Sequence, residues 1–320
     1  MSAETLRVRG LEVGYGEVLA LRGVDLGVAA GEVLGLLGPS GSGKSTLLHT
    51  IAGFQDPRRG EVWLGGRLVA SPSGGEPPER RDVAMVFQSY ALWPHLTAVD
   101  TVAYPARRRG ESRGRARAEA LEILERLHVG HLARRRPAEL SGGEQQRVGL
   151  GRALARQASL YLFDEPTAHL DAHVRTVFLE ELAVRQRETG AAAVYATHDP
   201  EEALGLADRV ALLREGRLVQ VGTPEQVYAE PVDRWAAELT GPVSVLSEPD
   251  GGAPVLVRPE WACLGGPRTA VVADVRFRGP HSDYLLDTAG GLLLVREAGP
   301  PAYRRGERVS WDMRRRWAIG

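Results

Sequence analysis

Short uninterrupted apolar runs alternate, over the first three quarters of the chain, with stretches in which apolar residues recur every three or four positions. VLGLLG (33–38), VAMVF (83–87), LYLFD (160–164) and AAAVYAT (191–197) have the length and β-branched or aromatic content of buried strands. Segments 44–53, 113–128, 142–156, 172–189 and 200–207 carry the helical period, several opened by Ser, Asp or Pro at a capping position. This alternation predicts parallel strands joined by crossover helices, an α/β fold. PSGGEPP (72–78) reads as a flexible surface loop. The pattern changes at Gly241-Pro242. Beyond it PVSVL, PVLVRPEW, TAVVADVRF, YLLDTAGGLLLVRE and RVSWDM give short strands separated by turn clusters such as Asp250-Gly251-Gly252 and Gly290-Gly291, with no convincing helix. The expected division is therefore an α/β domain over 1–241 and a small all-β, barrel-like domain over 242–320.

Composition adds bounds rather than identity. The 320 residues, 43% hydrophobic and 25% charged, suffice for two domains, and the formal net charge of −1 gives no reason to expect nucleic acid or an anionic membrane as a partner. Arginine runs at Arg107 to Arg109, Arg134 to Arg136 and Arg314 to Arg316 lack interleaved aromatic residues and read as solvated faces. The single cysteine, Cys263, excludes an intramolecular disulfide and a cysteine zinc cluster. No apolar run has the length of a signal peptide or membrane span, so work at a membrane would require another chain as anchor.

One basic residue stands apart: among 40 Lys plus Arg, Lys44 is the only lysine. It lies in GPSGSGKST, comprising Gly38, Pro39, Ser40, Gly41, Ser42, Gly43, Lys44, Ser45 and Thr46, which matches G-x-x-x-x-G-K-[ST] between an apolar strand and a helix. The glycines let consecutive N–H groups turn inward on phosphate oxygens, and the helix start adds its positive dipole end. A compact ammonium reaches between β- and γ-phosphates where a planar guanidinium does not, and Ser45 offers its hydroxyl to Mg²⁺. The loop alone leaves open which nucleotide-using family is present.

Two further motifs narrow the choice. LYLFDEP ends a buried strand in Asp164 and Glu165: one carboxylate placed to hold a Mg²⁺ hydration shell, the next to orient and deprotonate a water. Alone, such a pair equally suits a solvated loop. Upstream, LSGGEQQRVGLGRAL opens a helix with Ser141, Gly142, Gly143 and Glu144, a second anion-type site built from a hydroxyl and backbone N–H groups. Two cradles in one chain suggest a meeting across a dimer. In this order and spacing the motifs resemble the ATP-binding subunits of ABC transporters, whose signature LSGGQ is read here as LSGGEQ.

The resemblance implies roles for further residues. Tyr15, in LEVGYGEVLAL, matches the aromatic that stacks on adenine, although a strand aromatic in a local core would look alike. Gln88, in VFQSYALWPHLT, matches the glutamine that touches Mg²⁺ or the attacking water beside the contact with the membrane subunit. His198, in YATHDPEEAL, matches the switch histidine at the γ-phosphate, and Asp171, in AHLDAHV, the D-loop aspartate. Ala168-His169 replaces the small pair common before that Leu-Asp; the imidazole would alter packing, alter pH response or point to solvent.

By the same resemblance, residues 1–241 form a P-loop NTPase domain with a helical subdomain at about 89–157, followed by a TOBE-like, OB-like barrel. Two copies would close head to tail on ATP and Mg²⁺, with Glu165 as general base and His198, Lys44 and Gln88 completing the catalytic set. Integral membrane permease subunits would dock at 89–96 on the cytoplasmic face of the cell membrane, and an external binding protein would act through them. FQSYALWPHLTAVDTVAY and the tail entered through Val257-Arg258-Pro259-Glu260 are similar to importer ATPases of the sugar, polyamine and ferric-iron groups, with ferric iron or polyamine ahead. The tail itself fits a structural, dimer-stabilising, ligand-sensing or oligonucleotide-binding role. A soluble ABC ATPase acting on nucleic acid or ribosomes, or a ligand-sensing regulatory ATPase, are the alternative functions; the coiled-coil insertions and paired ATP domains usual in the former are absent from the sequence.

Overall fold

The computed structural model describes residues 4–87, 90–166, 180, 184, 189–247 and 253–318. The chain forms two compact units, the first running to Pro224 and the second starting at Glu225.

Two sheets and a helical layer make up the first unit. Strands β1 (Glu4–Tyr15) and β2 (Val18–Ala29) form a long antiparallel hairpin, followed by β3 (Val33–Leu37) and α1 (Lys44–Ala52). Then come β4 (Arg59–Leu64), β5 (Arg67–Ser71), the two-residue β6 (Gly74–Gly75) and β7 (Val83–Val86). Helices α2 (Ala98–Arg108), α3 (Arg113–Arg126) and α4 (Gly142–Leu154) lead to β8 (Leu160–Asp164) and β9 (Ala192–Thr197), and α5 (Pro200–Leu206), β10 (Arg209–Arg214) and β11 (Arg217–Gly222) close the unit.

One sheet is antiparallel, in the order β2-β1-β4-β5-β6; the other runs β11-β10-β3-β9-β8-β7 and is parallel from β10 through β7. Strands β3, β8 and β9 are buried at every position, which is why they read as continuous apolar runs rather than alternating ones. One continuous core, including Leu6, Val13, Leu34, Leu47, Ile51, Leu162 and Val194, joins both sheets to α1. In the helical layer α2 to α4 approach closely at Gly151, where a Cβ would stand only 3.2 Å from Val102 and 3.3 Å from Ile123.

The expected helices at 44–53, 113–128, 142–156 and 200–207 are present to within two residues; the one at 172–189 lies outside the described residues except at 180, 184 and 189, which are helical. The segment 72–78 differs from expectation. It is held down as the β5–β6 hairpin, because the buried Arg81 donates to the carbonyls of Val69 and Glu76 as well as to Thr50 and Ile51 at the end of α1. A fully buried guanidinium with four carbonyl acceptors satisfies its own donors and fixes the chain on either side.

In the second unit, short helices α6 (Pro224–Ala229) and α7 (Arg234–Thr240) precede β12 (Ser244–Leu246), β13 (Val255–Val257), β14 (Ala262–Phe277), β15 (His281–Thr288), β16 (Gly291–Ala298), β17 (Arg308–Met313) and β18 (Trp317–Ala318). These strands form two antiparallel sheets, β12-β13-β18 and β16-β15-β14-β17, around one core that includes Val257, Trp261, Tyr284, Leu286, Val295 and Trp311. The turn cluster at 250–252 lies outside the described residues. Among the described residues, no helix is long and apolar enough to cross a membrane.

Candidate functional site

Strand β3 delivers the chain into the loop Gly38 to Thr46, and the loop delivers it into α1. Gly38 has no room for a side chain: a Cβ there would lie 2.4 Å from the carbonyl of Leu213 on β10 and 2.7 Å from Ser42 Oγ. Gly41 (φ 79°) and Gly43 (φ 108°) occupy the left-handed region that only glycine adopts without strain. Gly43 is the N-cap of α1 and offers no side-chain acceptor, so the first N–H groups of the helix keep their donors for an external anion. Ser42 Oγ is buried and, among the described residues, has no hydrogen-bond partner. A buried hydroxyl left unpaired beside a nest of amide donors fits a phosphate-bearing ligand.

Three neighbouring strand ends supply the charged groups. Lys44 Nζ donates to the carbonyls of Gly38 (2.7 Å) and Pro39 (3.1 Å) and stands 3.7 Å from Glu165 Oε1. His198, just past β9, places Nδ1 3.3 Å from the other oxygen of the same carboxylate. Ser45 Oγ donates to Asp164 Oδ1 at 3.0 Å. Burial pulls the Lys44 ammonium below the usual lysine range, opposed by Glu165 and Asp164, while burial pushes the Asp164 carboxyl up against the Ser45 hydrogen bond. Burial thus disfavours the charged form of both groups, a cost that an added phosphate or cation relieves. Ser45 and Asp164 present oxygen donors only, the chemistry that suits Mg²⁺.

Glu165 itself is strained. It is a non-glycine residue at φ 48°, with its N–H fixed on the carbonyl of Ala196 at 2.9 Å. Such conformations persist where neighbouring structure over-determines them, and here the effect is to aim the carboxylate between Lys44 and His198.

The remaining candidates are dispersed. Tyr15 ends β1 and is 54% exposed, so its ring is free of the core packing that was the alternative reading. Ser141 caps α4 in a reciprocal box: its N–H donates to Glu144 Oε2 (2.7 Å) and its hydroxyl accepts from Glu144 N–H (3.4 Å). Ser141 is exposed and Glu144 half-buried, with the Glu144 carboxyl held low chiefly by the Ser141 N–H. Among the described residues their hydrogen bonds are local and none reaches the 38–46 loop. Gln88 and Asp171, like His169, lie outside the described residues.

Supporting residues had no sequence motif to reveal them. Thr197 donates to the buried Glu202 (2.8 Å) and accepts from Asp199 N–H (3.0 Å), and Tyr195 reaches the same Glu202 at 3.3 Å; together they fix the strand end that carries His198. Gln146 of α4 donates to the carbonyl of Pro166, tying the helix that begins at Ser141 to the exit of the acidic strand. Arg152, also on α4, donates to the carbonyls of Tyr90 and Ala91, both at positive φ, and lies over the Trp93 ring at 5.2 Å. The segment that follows Gln88 is thereby anchored to the signature helix.

A glycine-lined phosphate cradle at a strand-to-helix turn, with an acid pair and a histidine at the ends of adjacent parallel strands, defines a P-loop nucleotide-binding protein. The chain belongs to the ABC transporter family. The ABC transporter family profile matches residues 21–168, and the TOBE domain profile matches 255–319. The trehalose/maltose import ATP-binding protein MalK of Thermococcus litoralis is 45% identical over 229 residues, which is 71% of this chain and 62% of that protein. The chain thus spans less than two thirds of that relative's length. The spermidine/putrescine import ATP-binding protein PotA of Rubrobacter xylanophilus is 36% identical over 98% of this chain and 93% of its own. Among solved structures, a dimeric ATP-binding cassette in a post-hydrolysis state, bound to ADP and Pi, matches with a TM-score of 0.63 and 30% identity, covering 68% of this chain and 98% of that one.

Proposed function

We propose that this chain is the ATP-binding and ATP-hydrolysing subunit of an importer, working as a head-to-tail pair on the cytoplasmic face of the cell membrane beneath integral permease subunits. The observation that carries the proposal is the placement of Glu165 between Lys44 and His198, 3.7 Å and 3.3 Å away. A carboxylate there can take the proton of a water attacking the γ-phosphate while the ammonium, the loop amides and the imidazole meet the charge that develops on the phosphoryl oxygens. Mg²⁺, held by Ser45 and Asp164 with Gln88, would neutralise β- and γ-phosphate charge. Tyr15 would stack on adenine. The second copy would supply its Ser141, Gly142, Gly143 and Glu144 to the same triphosphate, with Asp171 at the seam. Cleavage then removes the charge that both copies grip, and the pair opens.

The cargo reading favours a polyamine. Polyamine is supported by a relative aligned along nearly the whole chain, the spermidine/putrescine import protein; the trehalose/maltose import protein keeps a sugar as the alternative. Uptake of labelled spermidine or maltose by vesicles carrying this chain with its permease separates the two, and transport of neither overturns both.

For the mechanism the test is Glu165→Gln. Turnover is expected to fall by about 10²-fold or more while ATP binding persists, and light scattering with Mg²⁺ and ATP should then report a stable dimer. Unchanged turnover removes Glu165 as the base; a monomer under all conditions, permease included, removes the paired arrangement.

A further inference from the structure

The second unit carries a charged cavity that nucleotide chemistry does not use. Three strands place two rows of residues side by side on the face turned away from the core: Arg276, Asp283 and Arg296 are cross-strand neighbours, and so are Asp274, Leu285 and Leu294. The opposite face of β15 and β16 bears Tyr284, Leu286, Leu293 and Val295, all in the core. An outward face of this kind ordinarily carries polar residues in mutual balance. Here the balance is incomplete. With Arg278, His281 and Pro242 these rows line an open groove of about 490 Å³, in which Arg276 and Arg278 are exposed to solvent.

Its charges are organised around one half-covered carboxylate. Asp283 accepts from Arg296 twice, at 2.8 and 3.2 Å, with Arg278 Nε at 3.8 Å and His281 Nε2 at 3.6 Å. Arg276 reaches only Asp274, through Nε at 3.0 Å. Three guanidiniums thus face two carboxylates. Among the described residues, the terminal nitrogens of Arg276 and Arg278 have no hydrogen-bond acceptor. Beside them the Leu285–Leu294 pair forms a partly covered apolar floor where a solvent face would carry polar groups.

We propose that this cavity binds a small organic phosphate monoester, with its dianion on the Arg276 and Arg278 forks and its carbon skeleton on the leucine floor. Paired planar guanidiniums suit a tetrahedral dianion through bidentate, charge-assisted hydrogen bonds, and the cationic excess of the lining favours an anionic ligand. A neutral sugar would leave the guanidiniums unused. Inorganic phosphate would leave the floor uncovered. The site is independent of the nucleotide reading, since none of its residues belongs to the 38–46 loop or the acid strand.

Calorimetric titration of the full chain with glucose 6-phosphate, in the presence and absence of ADP to occupy the phosphate loop, tests the proposal. One equivalent should bind with ADP present, more tightly than inorganic phosphate, and Arg276→Ala/Arg278→Ala should weaken it by about tenfold or more with melting temperature and ATP turnover unchanged. Absence of binding at millimolar ester, equal binding by the double variant, or inorganic phosphate binding as tightly as the ester each overturns it. Tighter, salt-sensitive retention of single-stranded DNA or polyglutamate on this same face would overturn it too, assigning the face to a macromolecule.

Discussion

Each unit buries a cation, and the two sites treat it in opposite ways. Arg258 is sealed in the second unit: its Nη1 donates to the carbonyls of Ala237, Gly241 and Pro242, its Nη2 to Tyr228 O and Thr240 Oγ1, and its plane lies 4.0 Å over the Tyr228 ring. Those carbonyls end α6 and α7, so one side chain ties both helices to β13. Lys44 in the first unit rests only on the carbonyls of its own loop, with Glu165 nearby. Burial lowers the pKa of both groups. The difference lies in commitment. A guanidinium with five acceptors is a structural tie, whereas an ammonium holding two neutral carbonyls can turn to a phosphate and lose little. This explains why position 44 keeps an ammonium.

The carboxylates repeat the contrast. Asp164 is raised by burial, and Asp283 is lowered by its hydrogen bonds from Arg296. The phosphate site thus holds charge at a cost to the fold, and the sheet face of the second unit gains from it.

The largest expected effect of breaking this contrast is at the ammonium. Lys44→Arg should cut ATP turnover by about 10²-fold with the circular dichroism spectrum and melting temperature preserved, because the charge remains while the point donor is lost; full activity would mean that geometry at this position is not selective. Next is the structural cation. Arg258→Met removes every side-chain donor from this cluster of acceptors and should destabilise the second unit by about 3 kcal/mol in urea titration, and Arg258→Lys should not restore it, since an ammonium cannot reproduce the planar fork that spans both helices.

The smallest effects are at the two carboxylates, and they have opposite signs. The native state holds the Asp164 proton more tightly than the unfolded chain does, so its ionisation costs stability as pH rises through the native value. Asp164→Asn should therefore raise the melting temperature of the nucleotide-free protein by a few degrees at neutral pH, with the gain vanishing in acid. Asp283 contributes stability that is present above the ordinary aspartate range near ~4 and lost as pH falls through its lower native value. Asp283→Asn should cost about 1 kcal/mol at neutral pH, a deficit that fades as the medium is acidified. Calorimetry from neutral pH to the acid limit of folding reads both, and shifts of the same sign would refute the comparison.

How much was legible in the sequence follows from the distance over which each feature is specified. The loop 38–46, the acid pair and the capped start at Ser141 are written in consecutive residues, because backbone turns and strand ends are local. Buried strands β3, β8 and β9 were equally plain as apolar runs. The twelve-residue strands β1 and β2 were not, since their burial is interrupted by bulges that shift the register between Val8 and Leu11 and between Val13 and Gly14. Helix α2 was missed as well: Pro105 stands inside it, and proline ordinarily argues against a helix interior. The segment 72–78 lies at the surface as expected, but its hairpin is not legible in the sequence, because Arg81, which holds Val69 and Glu76, takes acceptors as far as 31 residues away.

The sequence by itself determined which residues can make a phosphate cradle and a proton acceptor, since a nine-residue turn and a strand-ending carboxylate carry their chemistry in their own order. Only the tertiary structure decided that Lys44, Glu165 and His198 share a few ångströms, because that proximity arises from the parallel pairing of β3, β9 and β8 rather than from any local preference. It also decided which of many arginines are ties and which line a cavity. A guanidinium looks alike at every position in a sequence; its role depends on how many acceptors the folded chain brings to it.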